Sequence, residues 1–388
     1  MMLRAAAQAA TVVLLARQLG ARDYGQVVVV IAVASFLVPL AGLGLSHIVL
    51  RNAARDLAHW QAYVACALRW WWRTLPVAIG IAIALAILLL PGKLPMTALC
   101  VAIAGEIAAS SITELYARYR QAQHRLHAFG AINAGLPLCR LLALGALLLL
   151  ADPPTPSDVL WVYAVSGLAY VAMLWRTLPD DEDQAGSTPG EPMTAFSGLP
   201  FSLAVLAAKL QAEFNKPVLA QTSFGLAGSY NVAQRVVDMA SLPLLAMQEA
   251  LWPRLYPQSN PMPQLRHTGG ALMALALLLG AALWLVAPLL PILLGESFAD
   301  AVPVLQLLAW LPVLQMFRAL LNFHAIHHGR IHRIGWASGV GAVVSVAGVA
   351  MLAPQHGMTG AVAAAYLSEI AMTTFLLVIA LRASPRIS

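Results

Sequence analysis

The ionisable residues that could do chemistry in this chain are few and regularly spaced. Between residues 199 and 222 stand Lys209, Glu213 and Lys216, at spacings of four and three. On a 3.6-residue helix all three fall within a wedge of about 60°. Between 229 and 252 follow Arg235, Asp238 and Glu249, again on one helical side, with Pro243 between them as a kink. Glu106, Arg140 and Glu369 stand alone, each in its own apolar run. Charges embedded this way either pair helix to helix and fix packing, or line a polar, partly cationic cavity. Facing stripes on two consecutive segments favour the cavity. Histidines also cluster, at His324, His327, His328 and His332, with two i,i+4 spacings that would place imidazoles on one helical face as a metal site requires. No Cys or carboxylate accompanies them, so no metal site is assigned. The three cysteines, Cys66, Cys100 and Cys139, lack metal spacing and sit among apolar residues as small hydrophobes.

The elements that must position these charges follow from composition. Of 388 residues, 60% are hydrophobic and only 10% charged, and mean hydropathy is +0.75. Soluble domains carry about 45–50% apolar and about 25% charged residues. A soluble enzyme, a nucleic-acid binder and a disordered scaffold are therefore excluded as classes. No G-x-x-x-x-G-K-[ST], G-x-S-x-G or H-E-x-x-H motif occurs, and no polar stretch is long enough for a catalytic domain. The expectation is a membrane protein that is not an enzyme and binds no cofactor.

A membrane-crossing helix needs about 20 apolar residues. The chain offers twelve such spans, at 3–19, 27–50, 74–91, 95–114, 129–150, 159–175, 199–222, 229–252, 270–294, 301–321, 334–353 and 358–381. Pro91-Gly92, Asp152-Pro153-Pro154, Pro257, Pro261, Gly295, Pro354 and Gly357 punctuate them. The runs are long and lack period-two alternation, so they read as helices and not barrel strands. The first span is a retained helix, since its small residues Ala5–Ala10 precede the apolar core where a signal sequence would place them after it.

The net charge of +6 is a topology signal. With an inside N-terminus, the inner segments hold Arg4, Arg51, Arg55, Arg69, Arg73, Arg118, Arg120, Arg125, Arg176, Arg254, Arg266, Arg318, Arg330, Arg333, Arg382 and Arg386. The outer segments hold only Arg17, Arg22 and Lys93, and Arg140, Lys209, Lys216 and Arg235 lie within spans. Both termini are thus expected in the cytoplasm. The run Leu68–Arg73, reading LRWWWR, fits an interfacial aromatic belt with snorkelling Arg.

The polar stretch Arg176–Pro200, with Asp180-Asp181-Glu182-Asp183 and a Gly/Ser/Pro/Thr run, divides the spans six and six. The expected organisation is a first six-helix part at 1–178, a flexible cytoplasmic linker at 179–198 and a second six-helix part at 199–388. A weak repeat at an offset of about 204 residues supports the division. Leu15-Ala16-Arg17, Tyr24 and Phe36-Leu37-Val38-Pro39-Leu40 recur as Leu219-Ala220-Gln221, Tyr230 and Ala240-Ser241-Leu242-Pro243-Leu244. An even helix number makes the repeat parallel, an architecture that favours a central cavity and alternating access by rocking.

Ordered fragments along the chain resemble one family. Leu14–Gly25 (LLARQLGARDYG), then Leu43-Gly44-Leu45-Ser46 and Arg51, are similar to the opening signature of bacterial polysaccharide (O-antigen, Wzx-type) flippases. These belong to the multidrug/oligosaccharidyl-lipid/polysaccharide exporter (MOP) superfamily. Glu213–Lys216 to Gly225 and Tyr230–Arg235 resemble the family's seventh and eighth helices; Leu294–Phe298 leading to Leu305–Leu308, and His356–Ala361, match later segments. The family usually has a longer first helix, and an Asp is common where Asn215 stands, so a carboxylate role there passes to Glu213.

The resemblance implies an all-α protein of the bacterial inner membrane, with about twelve helices in two six-helix halves around a central cavity. It implies a flippase carrying undecaprenyl-diphosphate-linked oligosaccharide to the outer leaflet for polysaccharide or O-antigen assembly, in contact with membrane lipid and with other glycan-assembly proteins. A diphosphate needs cations to cross hydrocarbon, and Arg matches phosphate oxygens best. Arg17, Arg140, Lys209, Lys216 and Arg235 are the candidates for that contact. Glu106, Glu213, Asp238 and Glu369 are candidates for balancing charge or carrying a coupling proton or sodium ion. The rival reading is an ion-coupled multidrug/cation antiporter of the same superfamily, which should favour acidic over basic cavity residues. A glycosyl polymerase or ligase would carry a large outward loop, whereas the longest loop here faces inward. A non-transporting scaffold gives no reason for the buried charges.

Overall fold

A computed structural model describes residues 2–56, 59–90, 94–150, 154–176, 193–194, 196–255, 262–327 and 331–381. Most of the expected linker, together with Pro91, Gly92, Lys93, Asp152, Pro153, Pro257, Pro261, His328, Arg330, Arg382 and Arg386, lies outside the described residues. The described residues are helical nearly throughout and hold no β-strand. The helices are α1 (Met2–Leu37), α2 (Leu45–Arg55), α3 (Trp60–Leu89), α4 (Met96–Ala122), α5 (Leu126–Leu150), α6 (Pro156–Trp175), α7 (Leu199–Glu213), α8 (Asn215–Thr222), α9 (Phe224–Ala240), α10 (Leu242–Leu255), α11 (Met262–Val286), α12 (Leu290–Leu294), α13 (Ala301–Leu308), α14 (Leu311–His327) and α15 (Ile331–Leu381).

Eight stretches among the described residues are long and apolar enough to cross a membrane. Two of them are too long to be single crossings. A straight α1 of 36 residues would reach about 54 Å, well past a hydrocarbon core of about 30 Å. Its backbone breaks at Gly20, whose φ of 70° and ψ of 173° suit glycine and few other residues. The 51-residue α15 breaks in the same way at Gly357 (φ 59°, ψ −135°). There the two stretches turn back on each other: Gly341 packs on Met372, Gly348 on Ala364, and Gly360 on the Leu352 carbonyl. Small residues allow this close approach, as membrane helix pairs require. With these two breaks, and with α7–α8 and α9–α10 as the remaining crossings, the helices number twelve, six on either side of the 177–192 stretch.

The structure corrects several span boundaries. The second expected span, 27–50, is not continuous. Its helix ends at Leu37, Val38–Leu40 form a 3-10 turn around Pro39, and Gly42, Leu43 and Gly44 all take positive φ before α2 begins. Trp60–Arg73 and Leu115–Ala122 are helical where loops were expected, because helices continue beyond the apolar window into interfacial Trp and Arg residues. The LRWWWR run therefore sits on α3. Trp71 is buried and donates to Ser111 Oγ at 2.8 Å, Trp72 is exposed, and Arg73 lies over the Trp70 ring at 5.1 Å.

By internal contacts the chain forms two compact units, Met1–Lys209 and Leu210–Ser388. In the first, α4 is the central helix, with Ile103, Ile107 and Ile112 fully buried. Close packing brings Gly105 against Ala164 of α6 and Gly135 of α5 against Tyr170, whose hydroxyl donates to the Ile132 carbonyl at 2.8 Å. The start of α7 docks on the same unit. Ser202 Oγ donates to the Pro39 carbonyl at 2.5 Å, and Phe201 stacks on His47 with ring centroids 5.4 Å apart. A cavity of about 30 Å³ beside these residues is lined by His47, Trp71, Ser111 and Glu114. In the second unit α8 and α9 pack against α13 and α15, with Lys216, Tyr230, Phe298 and Phe323 among its most buried side chains.

Candidate functional site

The densest group of buried charges lies in the second unit, where the α7–α8 helix breaks. Glu213 is the last residue of α7 and Lys216 stands in the first turn of α8, separated by Phe214. Phe214 keeps right-handed helical angles and its N–H bonds the Leu210 carbonyl at 3.0 Å, so the interruption is slight; Pro217, four residues after Glu213, has no N–H to give the Glu213 carbonyl. Lys216 is 1% exposed and its ammonium donates to Glu213 Oε2. Arg235, from α9, donates through Nη2 to Glu213 Oε1 at 3.2 Å, and its Nη1 lies 3.9 Å from Asp238 Oδ2. Glu213 is thus shared between two cations. The cluster runs from a buried end to an open one: side-chain exposure rises from 1% at Lys216 through 38% at Arg235 to 53% at Asp238.

Two amides belong to the same region: Asn215, noted from the sequence only as standing where the resembling family commonly has an Asp, and Gln234, which was not singled out. Gln234 donates to the Ala212 carbonyl at 3.0 Å, while its own Oε1 and the Oδ1 of Asn215 are buried acceptors with no partner among the described residues. Amides carry no periodic charge signal, so only the fold joins them to the cluster. Glu249 is not part of the group. The helix breaks at Ser241, just before Pro243, and Glu249 stands exposed on α10.

Two further buried ion pairs join residues that stood alone in the sequence. In the first unit Arg140 Nη2 of α5 lies 2.7 Å from Glu106 Oε2 of α4, Ser110 Oγ donates to Glu106 Oε1 at 2.6 Å, and the Arg140 guanidinium covers the Tyr163 ring at 5.0 Å. In the second unit Arg318 of α14 grips Glu369 of α15 with Nε at 2.7 Å and Nη2 at 3.5 Å. The charge distribution along the sequence groups Arg318 with the inner-segment arginines; the structure corrects this, placing it within α14 against a carboxylate that is 5% exposed. Beside it, Gln211 donates to Ser368 Oγ at 2.9 Å, and Ser368 donates to the Gly341 carbonyl at 2.8 Å.

Lys209 is half-buried on α7 and has no carboxylate within ion-pairing distance among the described residues. Arg17 is exposed on the first stretch of α1. No group of three or more His, Cys, Asp and Glu among the described residues is placed to hold a metal ion. The three cysteines are free and half-buried.

Lys216, Arg235, Arg140 and Arg318 are therefore all paired with carboxylates, as the cost of desolvating a lone charge demands. With all groups ionised, Glu213, Lys216, Arg235 and Asp238 carry no net charge. An anion reaching Lys216 or Arg235 must displace Glu213, or find it protonated. A cation would meet Asp238 first, the most exposed member of the cluster.

Solved structures share the fold of this chain. The lipid II flippase MurJ, in an inward closed conformation, aligns over 99% of this chain and 88% of its own, with a TM-score of 0.73 at 9% identity. An inward-facing multidrug resistance MATE family transporter of the MOP superfamily aligns over 98% and 96%, with a TM-score of 0.66 at 15% identity. The MATE multidrug transporter DinF-BH aligns over 99% and 92%, with a TM-score of 0.60 at 13% identity. No family model and no curated protein matches the sequence significantly. The chain shares the fold of these MATE and MurJ transporters, with twelve helices among the described residues, six on either side of the 177–192 stretch.

Proposed function

We propose that this protein is a lipid-linked oligosaccharide flippase. It moves undecaprenyl-diphosphate-linked glycan units across the bacterial inner membrane, with both termini cytoplasmic. The observation that carries the reading is the Glu213–Lys216–Arg235 cluster, a set of buried cations in a fold whose solved examples include a lipid II flippase. A diphosphate brings oxygens that match guanidinium and ammonium donors. Lys216 and Arg235 receive it, while the lipid tail stays in the bilayer.

The sharing of Glu213 supplies a coupling logic. Protonation of Glu213 releases Lys216 and Arg235 for the phosphates, and loss of that proton restores the intramolecular pairs and expels the substrate. Glu106–Arg140 and Glu369–Arg318 are held in reserve as charge-balancing pairs between helices. Outward movement of one uncompensated negative charge from a negative cytoplasm gains a further 2.3 kcal/mol or so per about 100 mV.

The test is in cells that export the glycan. Arg235→Ala should cut export roughly 10- to 150-fold, the value of a charge-assisted contact of roughly 1.5–3 kcal/mol, while the protein still reaches the membrane. Full export by Arg235→Ala and by the paired Glu213→Gln/Lys216→Met variant would remove the basis for the reading.

One observation favours the alternative, an ion-coupled multidrug/cation antiporter. Lys216, Arg235, Arg140 and Arg318 are already neutralised by carboxylates, and Asp238 is the most exposed member of the cluster. Under that reading Asp238→Asn abolishes cation efflux and Arg235→Ala spares it.

A further inference from the structure

We infer that the start of α7 is a pH-sensitive strap within the first unit, docked on the 38–44 turn while His47 is neutral and released when His47 takes a proton. The docking seam is narrow. Of residues 196–204 only Gly198 and Ser202, one helical turn apart, are buried. Gly198 and Gly44 meet backbone to backbone: a Cβ on Gly44 would lie 2.5 Å from the Gly198 carbonyl oxygen, and one on Gly198 would collide with the Leu43 carbonyl. Ser202 Oγ donates to the Pro39 carbonyl, and Phe201, itself 45% exposed, stacks on His47. A segment held by so few buried apolar contacts lies at the low end of local stability.

The turn that receives it is strained. Gly42, Leu43 and Gly44 take φ of 85°, 51° and 70° in succession. A left-handed leucine is uncommon and persists where its surroundings over-determine it, and such outliers collect at switch regions. The close contact of Gly198 with the Leu43 carbonyl is part of that constraint, so lifting α7 away relaxes the turn.

His47 ties the seam to pH. Its side chain is 20% exposed and lies 3.5 Å from Glu114 Oε1 of α4, an oxygen that Arg118 Nε also approaches at 3.9 Å. Glu114 and Arg118 are the charged groups that act on it; α7 offers Phe201, α3 offers Trp71 across the shared cavity, and on α2 Arg51, one turn on, donates to Asn52. A carboxylate already shared with an arginine compensates an imidazolium only in part. The cavity of about 30 Å³ beside the ring has room for a water, which a charged ring would draw in at the expense of the stack. Burial holds the imidazole below its usual 6.5. Release uncovers the ring, so the released form binds the proton more tightly. Docking is therefore fully favoured above pH 6.5 and weakens as pH falls from there toward the docked value, by about tenfold for each pH unit between the two. With both termini cytoplasmic, as proposed, the pH sensed is the cytoplasm's; the switch itself does not depend on that orientation.

The experiment is hydrogen exchange of the full chain in mild detergent, followed by mass spectrometry, at about pH 8 and about pH 5.5, a window in which histidine alone among unperturbed side chains changes charge. The His47→Gln variant at each pH supplies the reference for the intrinsic exchange rate. The 196–206 segment of the wild type should match that reference at the higher pH and exchange several-fold to about tenfold faster than it at the lower, while the buried 103–112 stretch of α4 stays protected at both. If His47→Gln does not fold, Glu114→Gln decides: losing the carboxylate that favours the imidazolium should move the onset of release to lower pH. Equal protection of 196–206 in the wild type and His47→Gln at both pH values overturns the inference, as does an onset that Glu114→Gln leaves in place. Loss of protection across α4 as well reports general acid unfolding and overturns it too. None of these readouts uses transport, so the strap and the proposed flippase activity stand or fall separately.

Discussion

Lys216 sets the terms at the scale of single residues. A lysine 1% exposed persists only because Glu213 accepts from it, and that carboxylate is also held by Arg235. Removing one partner of a buried pair leaves an uncompensated charge and costs about 3–5 kcal/mol, whereas replacing both by apolar or neutral groups of similar volume is often close to neutral. Glu213→Gln should therefore lower thermal stability in detergent clearly, and adding Lys216→Met should recover most of the loss. If the double variant melts as low as the single one, the pair does not balance charge in the way the geometry indicates. These residues were legible from their spacing, because three charges on one helical face in an apolar run stand out. The partners of Glu106 and Glu369 were not. Arg140 and Arg318 lie far from them in sequence, and no periodicity links residues on different helices.

His47 adds a pH dependence outside the spans. Burial pushes its imidazole below the usual 6.5, against the raising effect of Glu114 and together with the lowering effect of Arg118. The unfolded chain then takes up a proton at a higher pH than the folded one. Stability falls as pH drops below 6.5 toward the folded value, and is unaffected by His47 above 6.5. His47→Gln should flatten the loss of thermal stability between about pH 8 and about pH 5; an unchanged slope would place its origin elsewhere.

At the scale of elements, glycine breaks at Gly20 and Gly357 divide two long helices where no loop intervenes. Gly357 turns α15 back on itself, and Gly360 is pressed against the Leu352 carbonyl so closely that no side chain fits. Gly360→Val should separate the two stretches and destabilise the fold by at least about 2 kcal/mol, within the range for overpacking. Gly335→Ala, where a Cβ would meet nothing within 4 Å, should be silent in the same melting experiment. Apolar run length made most of the crossings legible as helices close to their true extent, and Pro354-Gln355-His356-Gly357 marked the last turn. The ends were less legible. Hydropathy falls where Arg and Trp begin, yet α3 and α4 continue through them, because long amphipathic side chains can keep a helix intact at an interface. The break after Leu37 was hidden inside an apolar stretch, and only Pro39 and the Gly42–Gly44 pair signalled it.

For the whole molecule, the net charge of +6 separates into two populations. Most arginines lie near helix ends, where their distribution along the sequence leads us to expect cytoplasmic termini. Those at depth are paired, and it is the pairing that relates fold to function. In this chain the buried cations are neutralised by carboxylates, and under the proposed function a phosphate-bearing substrate would release them. Under the proposed function the substrate is a lipid diphosphate, and under the alternative it is an organic cation. The decisive experiment is flipping of a fluorescent undecaprenyl-diphosphate oligosaccharide in proteoliposomes, read by an impermeant quencher, alongside efflux of a cationic dye under an imposed pH or sodium gradient. A lipid-diphosphate flippase should flip the lipid-linked glycan, lose that activity in Arg235→Ala, and show no dye efflux. Dye efflux without glycan flipping, or flipping that Arg235→Ala leaves intact, would contradict it.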